Sequence, residues 1–267
     1  SDLASLQTRA ELDESGENYI VNGQKIWTSH AHHADWVFAL VRTSTEGKKQ
    51  EGISFLLIDM STPGLEVKPI ISMDGGHYLN EVFFVDVKVP VTNRIGEENM
   101  GWTYAKYLLG HERTGIAGVA KSKRKLEKLK EIAGLEQDSG EPLIDDPDFK
   151  SRVANVGIKL QALEITNLRT LSAVSAGKSP GDASSILKIR GTEVEQELNE
   201  LLVWAMGYYA HPYQPGRLFN QQTNMIPVGP DHAVGLMEER LLRRAASIYG
   251  GSNEIQKNII AKAIMGL

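Results

Sequence analysis

The sequence predicts an α+β protein: an antiparallel β-barrel or sandwich domain over residues 1–97, followed by a C-terminal up-down helical bundle over residues 98–267. Two observations carry that reading. Short runs of alternating apolar and polar residues, punctuated by Gly, Pro, Asp and Ser, fill the chain up to Pro90. They suit strands joined by tight turns better than strands joined by helical crossovers. From Gly101 onward apolar residues instead recur every three or four positions, the period of a helix with one buried face.

Taken in order, residues 8–12 alternate as a first strand. Residues 18–21 and 24–28 flank Asn22-Gly23, a dipeptide that tolerates positive φ at both positions, so a two-residue hairpin is expected there. Runs at 35–42, 53–60, 65–70 and 80–87 supply four more strands, and Pro90 closes the β part. Ala105, Leu108, Leu109, Ile116, Val119 and Ala120 then predict one long helix. The run Lys121-Ser122-Lys123-Arg124-Lys125 continues it as a solvated basic face. After a loop over 134–147, helical patterns cover 149–176, 183–209, 232–247 and 253–265, with Gly177 and Gly181 as breaks. Residues 211–230, rich in Pro, Gly, Asn and Gln, make a connection long for a bundle and so functional or structurally independent.

Composition narrows the function. A length of 267 residues suits two domains, and no run of about 18 apolar residues offers a membrane span. A net charge of -5 without a basic stripe argues against nucleic acid as a partner, and zero cysteines exclude disulfides, thiolate ligands and thiol nucleophiles. His30, His32 and His33 sit at a spacing that suits a strand or turn rather than a zinc helix, and no metal site is expected. The chain opens at Ser1 without Met, basic segment or apolar h-region, so the native start is expected to be missing; a cytoplasmic location is expected.

Two places break the local pattern. Glu112 falls three residues after Leu109 and four before Ile116, on the face that calls for an apolar side chain. A carboxylate there is either a buried structural group held by a partner from another helix, or a base whose pKa desolvation raises toward neutrality. Tyr249-Gly250-Gly251-Ser252-Asn253-Glu254 forms a turn feeding a helix, with Ser252 as candidate N-cap. Such a terminus either simply starts the helix or presents free N–H groups to an anion or oxyanion.

Together these segments resemble the acyl-CoA dehydrogenase family over nearly the whole chain. Ser1 to Thr8 is similar to its entry into the middle domain, and Asn22-Gly23-Gln24-Lys25-Ile26-Trp27-Thr28-Ser29 with Ala34-Asp35 to its flavin-facing strand. Gly96 to Leu109 is similar to its entry into the C-terminal bundle, and Ile248 to Gln256 to its Tyr-Glu-Gly-Thr-Ser-Gln-Ile-Gln turn. The resemblance implies FAD as cofactor, with Trp27 against the isoalloxazine, Thr28 and Ser29 beside it, Ser1 near the pyrophosphate, and Ser252 and Glu254 helping to hold it. It implies abstraction of an α-proton from an acyl-CoA thioester, transfer of the β-hydride to flavin N5, and passage of electrons to an electron-transfer flavoprotein. The thioester carbonyl would be held by the Gly250 N–H, and Arg113 would line the site.

Three departures from the family are visible. Gly250 stands where many members carry the catalytic Glu, while some relatives place the base immediately before the helix arginine, here Glu112. Two flavin-contacting blocks are replaced, around 134–148 and at Gly207-Tyr208-Tyr209, and the family's N-terminal helical domain is absent from the sequence. This pattern resembles the large subunit of pimeloyl-CoA-dehydrogenase-like bacterial enzymes, which implies a homo- or hetero-oligomer. A non-catalytic, cofactor-sharing subunit and an acyl-CoA oxidase are the competing readings.

Overall fold

The computed structural model describes residues 2–112, 115, 117–178, 183–215, 224–264 and 266–267, without the side chains of 109–112, 183 and 264. The chain forms two compact units, Ser1–Ser72 with Gly76–Leu109, and Met73–Gly75 with Gly110–Leu267.

The first unit is a six-stranded sheet of β1 (Arg9–Leu12), β2 (Asn18–Ser29), β3 (Trp36–Arg42), β4 (Ile53–Asp59), β5 (Leu65–Ile71) and β6 (His77–Pro90), in the order β4-β3-β1-β2-β6-β5. The sheet is mixed, because β1 and β3 run parallel, Arg9 opposite Arg42. Two reversals between them return the chain to its first direction, so a strand laid beside β1 must be parallel to it. Among the described residues no ladder joins β4 to β5, so no barrel closes. Alternation places Tyr19, Val21, Val41, Leu56, Ile58, Val82, Phe84, Val87 and Val89 in one core.

The hairpin expected at Asn22-Gly23 is absent: both residues lie inside β2, which runs unbroken from Asn18 to Ser29. Here Asn22 faces two residues of β6, Val85 and Asp86, in a bulge where Asp86 takes φ +50°. The Asn22 amide donates to Asp86 Oδ1 at 3.0 Å and accepts from Asp86 N–H at 2.9 Å. Gly23 is needed for close approach, since a Cβ there would lie 2.7 Å from Thr8 Cα. The real turn follows β1, at Asp13–Asn18 with Gly16 at φ +71°. Hydrogen bonds from Ser15 and Asn18 hold the Asp13 carboxyl well below the usual carboxylate range.

Lys25 in β2 donates Nζ to Leu40 O at 2.6 Å, and burial pushes its pKa from 10.5 down to about 8. Between pH 8 and 10.5 the unfolded chain therefore binds a proton that the folded one has released, so stability rises with pH across that window. Urea unfolding at both ends of the window should show that rise in the native protein and its loss in Lys25→Met; equal slopes would refute it.

The second unit holds α2 (Val119–Leu135), α3 (Pro147–Ser175), α4 (Ala183–Met206), α5 (Leu236–Arg243) and α6 (Asn253–Ile264); α1 (Gly101–Glu112) runs from the first unit into it. The single helix expected through Lys125 is thus two helices. Gly115 and Ala117 are turn residues, and Gly118 takes φ +58° before α2. Nor is the basic run a uniform solvated face: Lys123 pairs with Glu164 at 2.9 Å, and Lys125 with Glu239 at 2.8 Å. α4 is central, burying Leu187, Val194, Leu198, Leu201, Leu202 and Ala205 at helical spacing against α2 and α3, and packing with α5 and α6 as well. A Cβ on Gly191 would lie 2.8 Å from the Ala117 carbonyl, so glycine lets α4 pass that turn. Asp146 caps α3, accepting from Phe149 N–H at 2.7 Å ahead of Pro147, and Gly177 at φ +75° ends it as expected. The 134–147 loop contains a small hairpin of β7 (Gln137–Asp138) and β8 (Glu141–Pro142). Gly181 and residues 216–223 lie outside the described residues.

Candidate active site

In the sheet unit, the expected cofactor-facing residues stand on a second bulge. Lys25 faces Val82 and Thr28 faces Asn80, so Ile26 and Trp27 together oppose Glu81. Trp27 absorbs the extra residue at φ +61°, uncommon for any residue with a Cβ. A bulge re-aims side chains that strict alternation would send to opposite faces, and Ile26 and Trp27 are both exposed, Trp27 by 54%. Thr28 is half-buried and Ser29 exposed, and His30 follows at φ +55° before a short turn, Ala31–His33. Trp27 thus presents an exposed apolar ring from a backbone conformation that costs a residue with a Cβ.

The helical unit holds the other group. Gly250 and Gly251 take φ +65° and +81°, and Ser252 Oγ accepts from Ile255 N–H at 3.3 Å as the N-cap of α6. Among the described residues neither glycine's N–H has a hydrogen-bond partner, which leaves donors at a helix N-terminus for an oxyanion. Backbone and Ser252 hydrogen bonds hold the exposed Glu254 carboxyl below its usual value. Glu112 is the last residue of α1; its side chain, Arg113 and Ser1 lie outside the described residues.

Two contributors were not picked out by the sequence reading. Asn80 is fully buried beside Thr28, and Lys188 on α4 is 2% exposed, donating Nζ to Asn253 Oδ1 at 2.7 Å beneath the Gly250 turn. The signal for each was a polar residue at a core position of its element. Burial pushes the Lys188 pKa down, and the Glu254 charge opposes this. Lys188→Ala opens a cavity and removes the shorter of two donors to Asn253 Oδ1, leaving the Thr192 hydroxyl at 3.4 Å, a loss only partly offset by no longer burying an ammonium. A loss of about 2 kcal/mol in urea unfolding is expected; an unchanged midpoint would show that the contact does not hold the turn.

Comparison with known proteins follows the same division. Residues 1–87 match the family described as acyl-CoA dehydrogenase, middle domain, and residues 99–265 the acyl-CoA dehydrogenase, C-terminal domain. Acyl-CoA dehydrogenase FadE26 of Mycobacterium tuberculosis is 36% identical over all of this chain and 65% of its own length. Acyl-CoA dehydrogenase IpdE1 of the same organism is 34% identical over all of the chain and 64% of its own. The chain therefore spans about two thirds of the length of these relatives. Among solved structures, the ChsE4-ChsE5 complex from Mycobacterium tuberculosis matches with TM-score 0.81 and 32% identity, over the whole chain and 65% of its own. The Tcur3481-Tcur3483 steroid acyl-CoA dehydrogenase matches with TM-score 0.83 and 27% identity, over the same shares.

Proposed function

Since this chain belongs to the acyl-CoA dehydrogenase family, a family of FAD-dependent oxidoreductases, we propose that it catalyses α,β-dehydrogenation of an acyl-CoA thioester. FAD, when bound, supplies the oxidant that accepts the hydride from the substrate β-carbon. The chain supplies the rest. The Glu112 carboxylate takes the α-proton, while the Gly250 N–H donates to the thioester oxygen as negative charge grows on it. Arg113 would line the same site. Trp27, Thr28 and Ser29 would meet the bound flavin, Ser252 and Glu254 would help hold it, and Ser1 would serve its pyrophosphate end. What supports this reading is a pairing in the sequence: Gly250 has no proton-accepting side chain, and the family resemblance implies the alternative base position at Glu112, immediately before Arg113.

The chain works, in this reading, beside a second dehydrogenase subunit and passes electrons to an electron-transfer flavoprotein. The ChsE4-ChsE5 complex and the Tcur3481-Tcur3483 steroid acyl-CoA dehydrogenase, each named for two chains, support the first part. The test is anaerobic titration of the full-length flavoprotein, alone and co-expressed with a second dehydrogenase chain. Linear acyl-CoA esters and a steroid-side-chain thioester are added while flavin absorbance is followed. Bleaching by any of them supports dehydrogenation, and bleaching only in the co-expressed protein supports the paired enzyme. No bleaching in either preparation would overturn the assignment.

A further inference from the structure

We propose that Asn80 is a positioning residue which, with the imidazoles of His32 and His77, fixes the exit of the β2 bulge so that Trp27, Thr28 and Ser29 are presented to the cofactor. This rests on the reading that the end of β2 faces FAD, and it concerns what holds that end in place.

The strand end needs holding. Trp27 and His30, both with Cβ atoms, sit at positive φ on either side of Thr28 and Ser29, so relaxation of the bulge would relieve both. Asn80, 0% exposed, stands directly opposite Thr28 where the ladder resumes. Its amide donates through Nδ2 to Thr28 O at 3.0 Å and engages His32 Nδ1 at 3.1 Å, while Oδ1 meets His77 Nε2 at 2.8 Å. A single amide thereby ties the bulged strand to two rings. The network fixes the protons too: with both Nδ2 hydrogens spent as donors, His32 Nδ1 must accept, and His77 Nε2 must donate to Oδ1.

The clamp therefore needs a neutral His32. The His32 ring stacks on His77 with centroids 3.8 Å apart and planes 18° from parallel, with His33 at 3.9 Å and His30 at 6.3 Å. Tyr78 from β6 meets the His30 edge, while Met60, Val67 and Pro69 contribute no charge to the cavity of about 350 Å³ that His32 and His77 line. Desolvation first, then the neighbouring imidazoles, lowers the His32 pKa, with the Asn80 hydrogen bond opposing. The clamp is intact above pH 6.5, the ordinary histidine value, and is lost as pH falls through the lowered one.

The experiment uses the full-length flavoprotein, with its partner subunit if one is required, and reads FAD affinity and flavin circular dichroism alongside the melting temperature. Asn80→Leu, of similar size but without donors, should raise the FAD dissociation constant about tenfold and shift the flavin spectrum. His32→Asn, whose amide oxygen can stand near the place of Nδ1 without titrating, should retain affinity and flatten its fall below pH 6.5. A merely structural Asn80 would lower the melting temperature and leave FAD affinity and spectrum as in the native protein, which would overturn the proposal. So would a pH profile unchanged by His32→Asn, and that variant decides if Asn80→Leu does not fold. Trp27→Gly tests the underlying reading separately. Unchanged FAD affinity there removes the cofactor from β2, whereas weakened affinity there with an unaffected Asn80→Leu removes only the clamp.

Discussion

Replacing Glu112 by Gln is expected to lower kcat for thioester dehydrogenation about 10²- to 10⁴-fold, the usual contribution of a positioned general base. Gln keeps the length and polarity of the side chain but cannot take a proton at neutral pH, so binding of substrate and FAD should survive. Under the proposed mechanism the loss falls equally on kcat and kcat/KM, because the interaction removed is made in the transition state and not in the ground state. Gly250 cannot compensate: it carries no side chain, and its φ of +65° strains any residue placed there. Steady-state kinetics of the complete enzyme, with flavin content measured in parallel, checks this. A variant that keeps its flavin and turns over within about threefold of the native rate would mean that the base comes from another residue or another chain.

Most strands were legible because alternation is a local property: the runs near 36–42, 53–59 and 65–71 depend only on neighbours in sequence. Asn22-Gly23 misled for a specific reason. Glycine is demanded by a hairpin turn and equally by a strand that crosses close to another backbone, and only the distance to Thr8 tells them apart. The join between α1 and α2 was hidden because Val119 and Ala120 continue by coincidence the period set by Ala105 and Leu108. The glycines at 115 and 118 were the overlooked signal. At the site, Trp27 stood out only through family resemblance, since a Trp in a strand is ordinarily core. The groups around it were further out of reach. Asn80 bonds a carbonyl 52 positions away, and Lys188 an amide 65 away, and no periodicity within one element encodes such pairings. The polar residue at a core position was readable; its partner was not.

Trp27→Gly and Trp27→Ala are expected to weaken FAD binding alike, while reversing the stability order that a strand normally shows. Trp27 is 54% exposed, so about 100 Å² of apolar surface, roughly half of what a Trp side chain can bury, remains for a cofactor to cover. At about 25 cal/mol per Å² that area contributes roughly 2.5 kcal/mol, or on the order of 50- to 100-fold in the dissociation constant, to both variants. Stability separates them. Ala at φ +61° retains the left-handed penalty of about 1–2 kcal/mol. Gly escapes that penalty but gives up about 0.5–1 kcal/mol of chain entropy. The glycine variant should therefore be the more stable of the two by up to about 1.5 kcal/mol, against the usual preference for alanine within a strand. Urea unfolding of the apoproteins and FAD titration of the same preparations read the two effects independently. A more stable alanine variant would mean that Trp27 does not carry the bulge's strain. Undiminished FAD affinity in both would mean that the exposed indole serves a different surface.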